Sequence, residues 1–187
     1  MIRIISGKAK GRKLKAPAGK RIRPLTDRVK TALFNILGDK VINSYFLDLF
    51  AGTGSVGIEA LSRGAELAIF VEYDRSIVET IRKNLELTGF SDRAEIYALR
   101  VSKAIKILAS KGAKFDIIFL GAPYGSPELE KGLQKLGEVS LLADNGVIIA
   151  EHRSRYELPD QFGILKKFRD AKYGDTMLSF YRKVSKL

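Results

Sequence analysis

The chain has 187 residues, of which 45% are hydrophobic and 29% charged, and its formal net charge is +12. This length is typical of one domain with a sizeable core, and no run approaches the roughly 20 apolar residues of a membrane span. The absence of cysteine excludes disulfides and thiolate chemistry and favours a reducing, cytoplasmic location, while a single histidine argues against a metal site.

Positive charge is concentrated at the start of the chain. Residues 1–30 contain eleven lysines and arginines but one acidic residue, Asp27, so they carry +10 of the net charge. A block of this kind favours binding to a polyanion, because neutralised phosphates release counterions; the alternative is a solvated arm without a partner. The residues predicted to follow a phosphate backbone are Arg3, Lys8, Lys10, Arg12, Lys13, Arg23 and Arg28, with Lys15, Arg21 and Lys30 extending the strip.

Residues 1–25 alternate short apolar pieces with basic residues and glycines, which predicts a basic extension built as a small β-hairpin or an extended arm. Thr26 is the predicted N-cap of a helix that Gly38 ends. That helix opens a second unit, residues 26–187, in which strands and helices alternate. The predicted strands are 45–50, 67–72, 94–99, 115–120 and 146–151, and the helices between them are 55–63, 76–88, 102–110 and 127–139.

Two final segments, 166–173 and 176–183, flank Gly174-Asp175 and predict a closing antiparallel hairpin. The preceding strands are nearly continuous apolar runs, as expected for a parallel sheet that helices cover on both faces. The chain is therefore predicted to be an α/β protein with a Rossmann-like, mostly parallel sheet. The terminal hairpin departs from the dinucleotide-binding version of that fold.

The segment Phe46–Gly57 is the most informative stretch: an apolar strand carrying Asp48, a glycine-rich turn and a helix start. In an α/β sheet this layout places a ligand at the carboxyl edge of the first parallel strand. The string Gly-x-Gly-x-x-Gly also fits a nicotinamide cofactor, or a turn that serves packing alone. Asp48 would repel a pyrophosphate, whereas S-adenosylmethionine has no phosphate and carries a sulfonium and an ammonium group. Glu72, at the end of the next strand, can bond both hydroxyls of a ribose.

Three acidic residues near the turn also have simpler interpretations. Asp48 could be a buried acid that accepts backbone N–H bonds from the loop. Glu72 could be a solvated acid at a strand end, and Asp74 fits a helix N-terminal charge beside Arg75 and Ser76.

A second candidate site follows strand 115–120, in the segment Gly121-Ala122-Pro123-Tyr124. Pro123 fixes the chain direction, and Tyr124 offers a stacking face for a base flipped out of its helix. The alternative is a plain strand-to-helix turn with a surface tyrosine. His152 lies at the same predicted edge and is interpreted as a surface or structural histidine.

Five motifs together resemble the RsmD family, bacterial methyltransferases that modify the exocyclic N2 amine of one guanine in 16S ribosomal RNA. They are Arg3–Gly7, Gly11–Leu14, Arg23–Leu37, Leu47–Gly54 and Ala122–Tyr124, and the resemblance spans essentially the whole chain. It implies a class I S-adenosylmethionine-dependent methyltransferase fold. It also implies ribosomal RNA as partner, in the small subunit or an assembly intermediate, with no membrane or metal involved.

The resemblance extends the set of site residues. The implied cofactor-binding residues are Asp48, Phe50, Ala51, Gly52, Thr53, Gly54, Glu72, Tyr73, Leu99 and Arg100, and the implied catalytic residues are Gly121, Ala122, Pro123 and Tyr124.

Two positions depart from the family pattern. Gly121-Ala122 replaces Asp/Asn-Pro, so no side-chain oxygen is present there to orient the amine, and Gly121→Asp would raise the rate if that oxygen matters. Arg100 stands where the wider class places an acid or amide for the adenine amine, from which arginine cannot accept a hydrogen bond. These departures leave open a ribosome-assembly protein with a weakened site. Two further alternatives are an adenine-N6 methyltransferase of DNA or RNA, whose Pro-Pro-Tyr-type site has the same geometry, and a nicotinamide oxidoreductase, which the glycine string allows.

Overall fold

An eight-stranded sheet forms the centre of the molecule in the computed structural model, which describes residues 1–20 and 22–184. Five neighbouring strands run parallel, and three antiparallel strands complete one side. The predicted α/β class and mostly parallel sheet are confirmed. In sheet order the strands are β5 (Ala94–Tyr97), β4 (Leu67–Val71), β3 (Tyr45–Leu49), β6 (Phe115–Leu120), β7 (Leu142–Arg153), β10 (Thr176–Lys183), β9 (Leu165–Tyr173) and β8 (Gln161–Phe162).

Helices cover both faces of the sheet, because successive apolar residues of each strand point to opposite sides. Phe46 joins the core beneath the first three helices, and its neighbour Leu47 joins the core beneath the last two. The helices are α1 (Asp27–Leu37), α2 (Ser55–Ser62), α3 (Arg75–Thr88), α4 (Val101–Ser110) and α5 (Glu128–Glu138). In the described ranges, no helix has both the length and the apolar character needed to cross a bilayer.

The parallel strands β4 and β5 end earlier than predicted, at Val71 and Tyr97, and the segments that follow them leave the sheet. By contrast, β7 is twice as long as the predicted 146–151. It begins at Leu142, which pairs with Phe115 of β6, and β10 pairs with it as far as Arg153. The closing hairpin β9–β10 is confirmed, whereas β8 has no counterpart in the prediction. The ends of β7 and the presence of β8 depend on pairing with other strands, and the local sequence pattern did not predict them.

The start of the chain forms the predicted small hairpin, in which β1 (Ile2–Arg3) pairs with β2 (Lys13–Leu14). It packs against α2: the backbone N–H groups of Ile5 and Ser6 donate to the Glu59 carboxylate at 2.9 and 3.0 Å. Gly7 adopts a φ of +84°, and a β-carbon there would lie 1.8 Å from the Ser62 carbonyl oxygen. The basic extension is thus held by backbone contacts, and a boundary near residue 25 stays a prediction.

A second attachment joins the extension to α3 through Asn84. The Asn84 amide accepts the Lys15 N–H at 2.7 Å and donates to the carbonyl oxygens of Lys15 and Thr53, at 3.0 and 2.9 Å. Thr53 lies in the glycine-rich turn. One buried side chain therefore connects the basic extension to the loop predicted to hold the cofactor.

Candidate active site

A cavity of about 560 Å³ opens at the carboxyl ends of β3, β4, β6 and β7, within the range of about 300–1,000 Å³ typical of small-molecule sites. It unites the two candidate sites, residues 46–57 and 121–124, which are more than 60 residues apart in the chain. All the predicted cofactor and catalytic residues except Gly54 line it. They are Asp48, Phe50, Ala51, Gly52, Thr53, Glu72, Tyr73, Leu99, Arg100, Gly121, Ala122, Pro123 and Tyr124.

The turn after β3 has an unusual backbone. Phe50 adopts a left-handed φ of +60°, rare for a side chain of this size, and Gly52 has a φ of +57°. A β-carbon on Gly52 would lie 3.4 Å from Ile22, so the basic extension closes over this turn. Gly54 instead packs against Ile58 and Ile81 and caps α2. The turn thus exposes backbone to the cavity while its last glycine faces the core.

Asp48 is almost fully buried, and its Oδ2 accepts the Gly57 N–H at 3.0 Å. Burial raises the pKa of this carboxyl well above its ordinary value, although the Gly57 bond opposes the shift. The simpler interpretation of Asp48, as an acid that accepts a loop N–H, describes its observed hydrogen bond. Its carboxylate ties the end of β3 to the first turn of α2 and still borders the cavity.

Glu72 follows β4 and is held by two backbone donors. Its Oε2 accepts the Gly52 N–H at 3.3 Å, and its Oε1 accepts the Asp74 N–H at 3.0 Å. Burial raises its pKa, against the effect of these hydrogen bonds. The side chain is 9% exposed, so the interpretation as a solvated strand-end acid is wrong. Glu72 is a fixed, partly desolvated acceptor in the cavity wall.

The neighbouring acid, Asp74, does what its sequence position predicted. It caps α3 by accepting the Ser76 N–H at 2.9 Å, and it forms an exposed ion pair with Lys20. Hydrogen bonds from Lys20 and Ser76 lower the pKa of Asp74. This ion pair also anchors the basic extension beside the cavity.

Arg100 does not fill the crevice. Its guanidinium stacks over the ring of Tyr73 at 4.9 Å, and both side chains are exposed at the rim. Leu99 lies beside them in the wall. The pair therefore forms an edge of the cavity and leaves its interior open.

Tyr124 is more than a surface tyrosine. Its hydroxyl donates to Glu151 Oε1 at 2.7 Å, and the guanidinium carbons of Arg23 and Arg153 lie 4.3 and 5.2 Å from its ring centroid. Burial, with the nearby Glu151 carboxylate, raises its pKa to about 12, so the hydroxyl stays protonated at neutral pH. Arg23 is exposed, as the predicted RNA-binding role requires, but it lies at the end of the cavity lined by the predicted catalytic residues 121–124, hereafter the transfer end.

Glu151 and Arg153, at the carboxyl end of β7, also line the cavity and were not among the predicted site residues. The signal was present, because the predicted strand 146–151 ends on a carboxylate at the ligand edge, as Glu72 does for its own strand. His152, between them, is buried and hydrogen-bonds Ser179 Oγ through Nε2 at 2.7 Å. Burial lowers its pKa. It is the structural histidine of the two predicted options, and its location at the surface is wrong.

Most of the predicted RNA-binding residues are exposed, as that function requires. One prediction is wrong: Lys30 is buried, with its Nζ 3.4 Å from Glu59, because the segment before α1 folds back over it. Arg21 lies outside the described residues. The exposed members are Arg3, Lys8, Lys10, Arg12, Lys13, Lys15, Arg23 and Arg28.

The chain is similar to one protein family over almost its whole length and to several bacterial methyltransferases. The family model "Conserved hypothetical protein 95" matches residues 2–182. YlbH of Bacillus subtilis, by name a candidate rRNA methyltransferase, is 41% identical over 182 residues, which cover 97% of this chain and 99% of that protein. Ribosomal RNA small subunit methyltransferase D of Escherichia coli is 37% identical over 158 residues, covering 84% and 78%. The structure of yhhF from Escherichia coli, a candidate methyltransferase, has a TM-score of 0.84 at 34% identity and covers 97% of both chains.

Proposed function

Because the chain belongs to the RsmD family, we propose that it transfers a methyl group from S-adenosylmethionine to the exocyclic N2 amine of a guanine in 16S ribosomal RNA. Family membership makes it an S-adenosylmethionine-dependent rRNA methyltransferase; the guanine N2 atom, the small-subunit particle and the residue roles are the proposal. One observation carries it. A single cavity joins a turn lined with acids to a stacking platform that two arginines flank.

The turn suits a cationic donor better than a phosphate. Asp48 and Glu72 border it, and a β-carbon on Gly52 would fill space beside Ile22 that backbone leaves open. Bound S-adenosylmethionine supplies an electrophilic methyl group. In this proposal Glu72 holds the ribose hydroxyls, while Phe50 and Leu99 supply apolar contacts for the adenine.

The other end of the cavity suits an extruded base. The Tyr124 ring offers a stacking surface, and stacking of a base on an aromatic ring contributes about 1–3 kcal/mol. Arg23 and Arg153 add positive charge where the phosphates that flank a flipped nucleotide would pass. The acids at the turn thus favour the cationic donor there, and the two arginines beside Tyr124 favour the polyanionic acceptor at the other end.

The deciding experiment uses small subunits from a strain that lacks the endogenous enzyme, tritiated S-adenosylmethionine and nucleoside analysis. We expect label in N2-methylguanosine. Label in N6-methyladenosine would instead establish the adenine enzyme. RNA binding without any transfer would establish a ribosome-assembly protein.

Replacing Glu72 with alanine is expected to weaken S-adenosylmethionine binding about 10- to 100-fold, since a hydrogen bond to a charged group contributes about 1.5–3 kcal/mol. Isothermal titration calorimetry measures the dissociation constant, and circular dichroism checks the fold. Glu66→Ala, at an exposed acid just before β4, is the matched control. Unchanged affinity in Glu72→Ala would contradict the role of Glu72.

Removing charge from the basic extension is expected to weaken RNA binding without changing cofactor affinity. The variant Arg12→Ala with Lys13→Ala removes two exposed charges, so the slope of log affinity against log salt should fall by about 1.4–1.8. Filter binding across a salt series measures it. The control is Lys103→Ala with Lys106→Ala, two exposed lysines on α4, which packs on the opposite face of the sheet. Equal slopes in both double variants would contradict an RNA-binding extension.

A further inference from the structure

A carboxylate from β7 lies beside the glycine that departs from the family pattern. Strands β6 and β7 are parallel neighbours, and their register pairs Leu120 with Ala150. The next residue on each strand is therefore Gly121 on one and Glu151 on the other. Both line the cavity at its transfer end.

The two residues are in direct reach of each other. A β-carbon built on Gly121 would lie 3.4 Å from Glu151 Oε2, so this oxygen occupies the space that a side chain at position 121 would use. Glu151 Oε1 accepts the Tyr124 hydroxyl at 2.7 Å, and Tyr124 also lies 3.3 Å from Thr176 Oγ1. Within residues 1–20 and 22–184, no donor hydrogen-bonds to Oε2. The Glu151 carboxylate is thus held through Oε1, while Oε2 is left to accept a hydrogen bond from a molecule in the cavity.

Other polar groups near the cavity are already engaged. Asp48 and Glu72 accept backbone N–H groups around the turn after β3, and the imidazole of His152 bonds Ser179. Glu128 pairs with Lys131 on the exposed side of α5. Glu151 is the carboxylate that adjoins both the stacking platform and Gly121.

We propose that Glu151 is a catalytic residue whose Oε2 accepts a hydrogen bond from the exocyclic amine of the target base and takes up its proton after transfer. This inference rests on the proposed function and names the group that orients the nucleophile. This role of Glu151 also explains how position 121 can lack a side-chain oxygen, because Oε2 of Glu151 on the adjacent strand takes its place.

The chemistry requires such an acceptor, because an amine conjugated with its ring is a poor nucleophile. A hydrogen bond from one N–H to Oε2 turns the nitrogen lone pair towards the methyl group. The nitrogen lone pair then forms the new N–C bond while the S–C bond breaks. The electron pair of the broken S–C bond stays on sulfur, and the proton released from nitrogen passes to Oε2. Burial raises the pKa of Glu151, against the Tyr124 hydrogen bond and the charge of Arg23, and so makes it a better proton acceptor.

The test compares Glu151→Ala and Glu151→Gln in single-turnover methyl transfer to small subunits at saturating S-adenosylmethionine. Loss of one positioned hydrogen-bonding group in an active site costs about 10²–10³ in rate, so we expect a fall of this size for alanine. Glutamine keeps an acceptor oxygen but takes up no proton, so we expect about a tenfold loss. Glu157→Gln, at an exposed glutamate just beyond β7, is the matched control and should keep the wild-type rate.

Affinities separate catalysis from folding. S-adenosylmethionine binding to both Glu151 variants should stay within about threefold of wild type in calorimetry. A further variant, Gly121→Asp in the Glu151→Ala background, returns a carboxylate from the adjacent strand and should recover at least about tenfold of the lost rate. A structural role for Glu151 would not be restored in this way.

The proposal is overturned if Glu151→Ala transfers methyl within about threefold of the wild-type rate. If Glu151→Ala folds, no recovery of rate in the double variant overturns the proposal equally. Should alanine prevent folding, a wild-type rate in Glu151→Gln overturns it. A wild-type chain that methylates no RNA overturns both proposals, whereas normal wild-type transfer with unaffected variants overturns that of Glu151 alone.

Discussion

Gly121→Asp in the otherwise unchanged chain is expected to lower the rate of methyl transfer about 100-fold, opposite in sign to the gain expected from the sequence pattern. The new β-carbon would lie 3.4 Å from Glu151 Oε2 and 3.0 Å from Phe119 Cε1. Two carboxylates would then share one small space, and like charges 4 Å apart repel by about 4 kcal/mol at an effective dielectric constant of 20. One of them would be protonated or displaced, and the pair would occupy the position of the incoming amine.

Gly121→Ala separates the steric part of this effect from the electrostatic part, because it adds the β-carbon without the charge. We expect a loss of no more than about tenfold for alanine, since Phe119 must shift by only a few tenths of an ångström. Single-turnover rates give the comparison, and calorimetry checks that the cofactor still binds. A higher rate in Gly121→Asp than in the unaltered chain would show that Glu151 does not serve as the acceptor.

Glu59→Ala is expected to reduce the free energy of unfolding by about 3–5 kcal/mol, the usual cost of removing one partner of a buried ion pair. Glu59 and Lys30 are both at most 1% exposed and lie 3.4 Å apart. Burial already lowers the pKa of Lys30, and the Glu59 charge opposes that shift. Without Glu59, the buried lysine loses its ion-pair partner and keeps its hydrogen bond to the Arg3 carbonyl oxygen, while the N–H groups of Ile5 and Ser6 lose their acceptor.

Urea unfolding measures this loss. Glu79→Ala is the matched control, because Glu79 forms an exposed pair with Arg82 at 3.3 Å and such pairs contribute about 0.3–0.5 kcal/mol. Lys30→Met combined with Glu59→Ala should be more stable than Glu59→Ala alone, since the uncompensated charge is gone. If the single variant and the exposed control lose the same free energy, Glu59 does not anchor the basic extension. RNA affinity should fall with Glu59→Ala for the same reason.

Local pattern was sufficient for much of the fold. The alternation of apolar runs with helical periodicity predicted every parallel strand, and Thr26 caps α1 as its side chain suggested. The strand–turn–helix at residues 46–57 places Asp48 and Glu72 at one cavity because parallel strands end at a common edge. These features depend on residues close in the chain, so the sequence carries them directly.

The local sequence pattern did not predict which distant strands pair or in what register. The carboxyl end of β7 is extended to Arg153 by pairing with Thr176 of β10. The parallel register of β6 and β7, which pairs Leu120 with Ala150, brings Glu151 beside Gly121, and only its place at the end of a predicted strand marks Glu151 in the sequence. Lys30 resembles every other lysine of the basic block, yet the fold of residues 3–5 over α1 and α2 buries it.

The amino-acid sequence by itself determined the order of the elements, the ligand-binding turn and the accumulation of positive charge, because each is a property of neighbouring residues. Only the tertiary structure decided that a carboxylate lies against Gly121 and that Arg23 covers Tyr124. Those placements arise from sheet register and from a chain start that folds back over the turn. They join groups that lie 30 and 101 residues apart in the chain, and residue type alone predicts no distance across such separations.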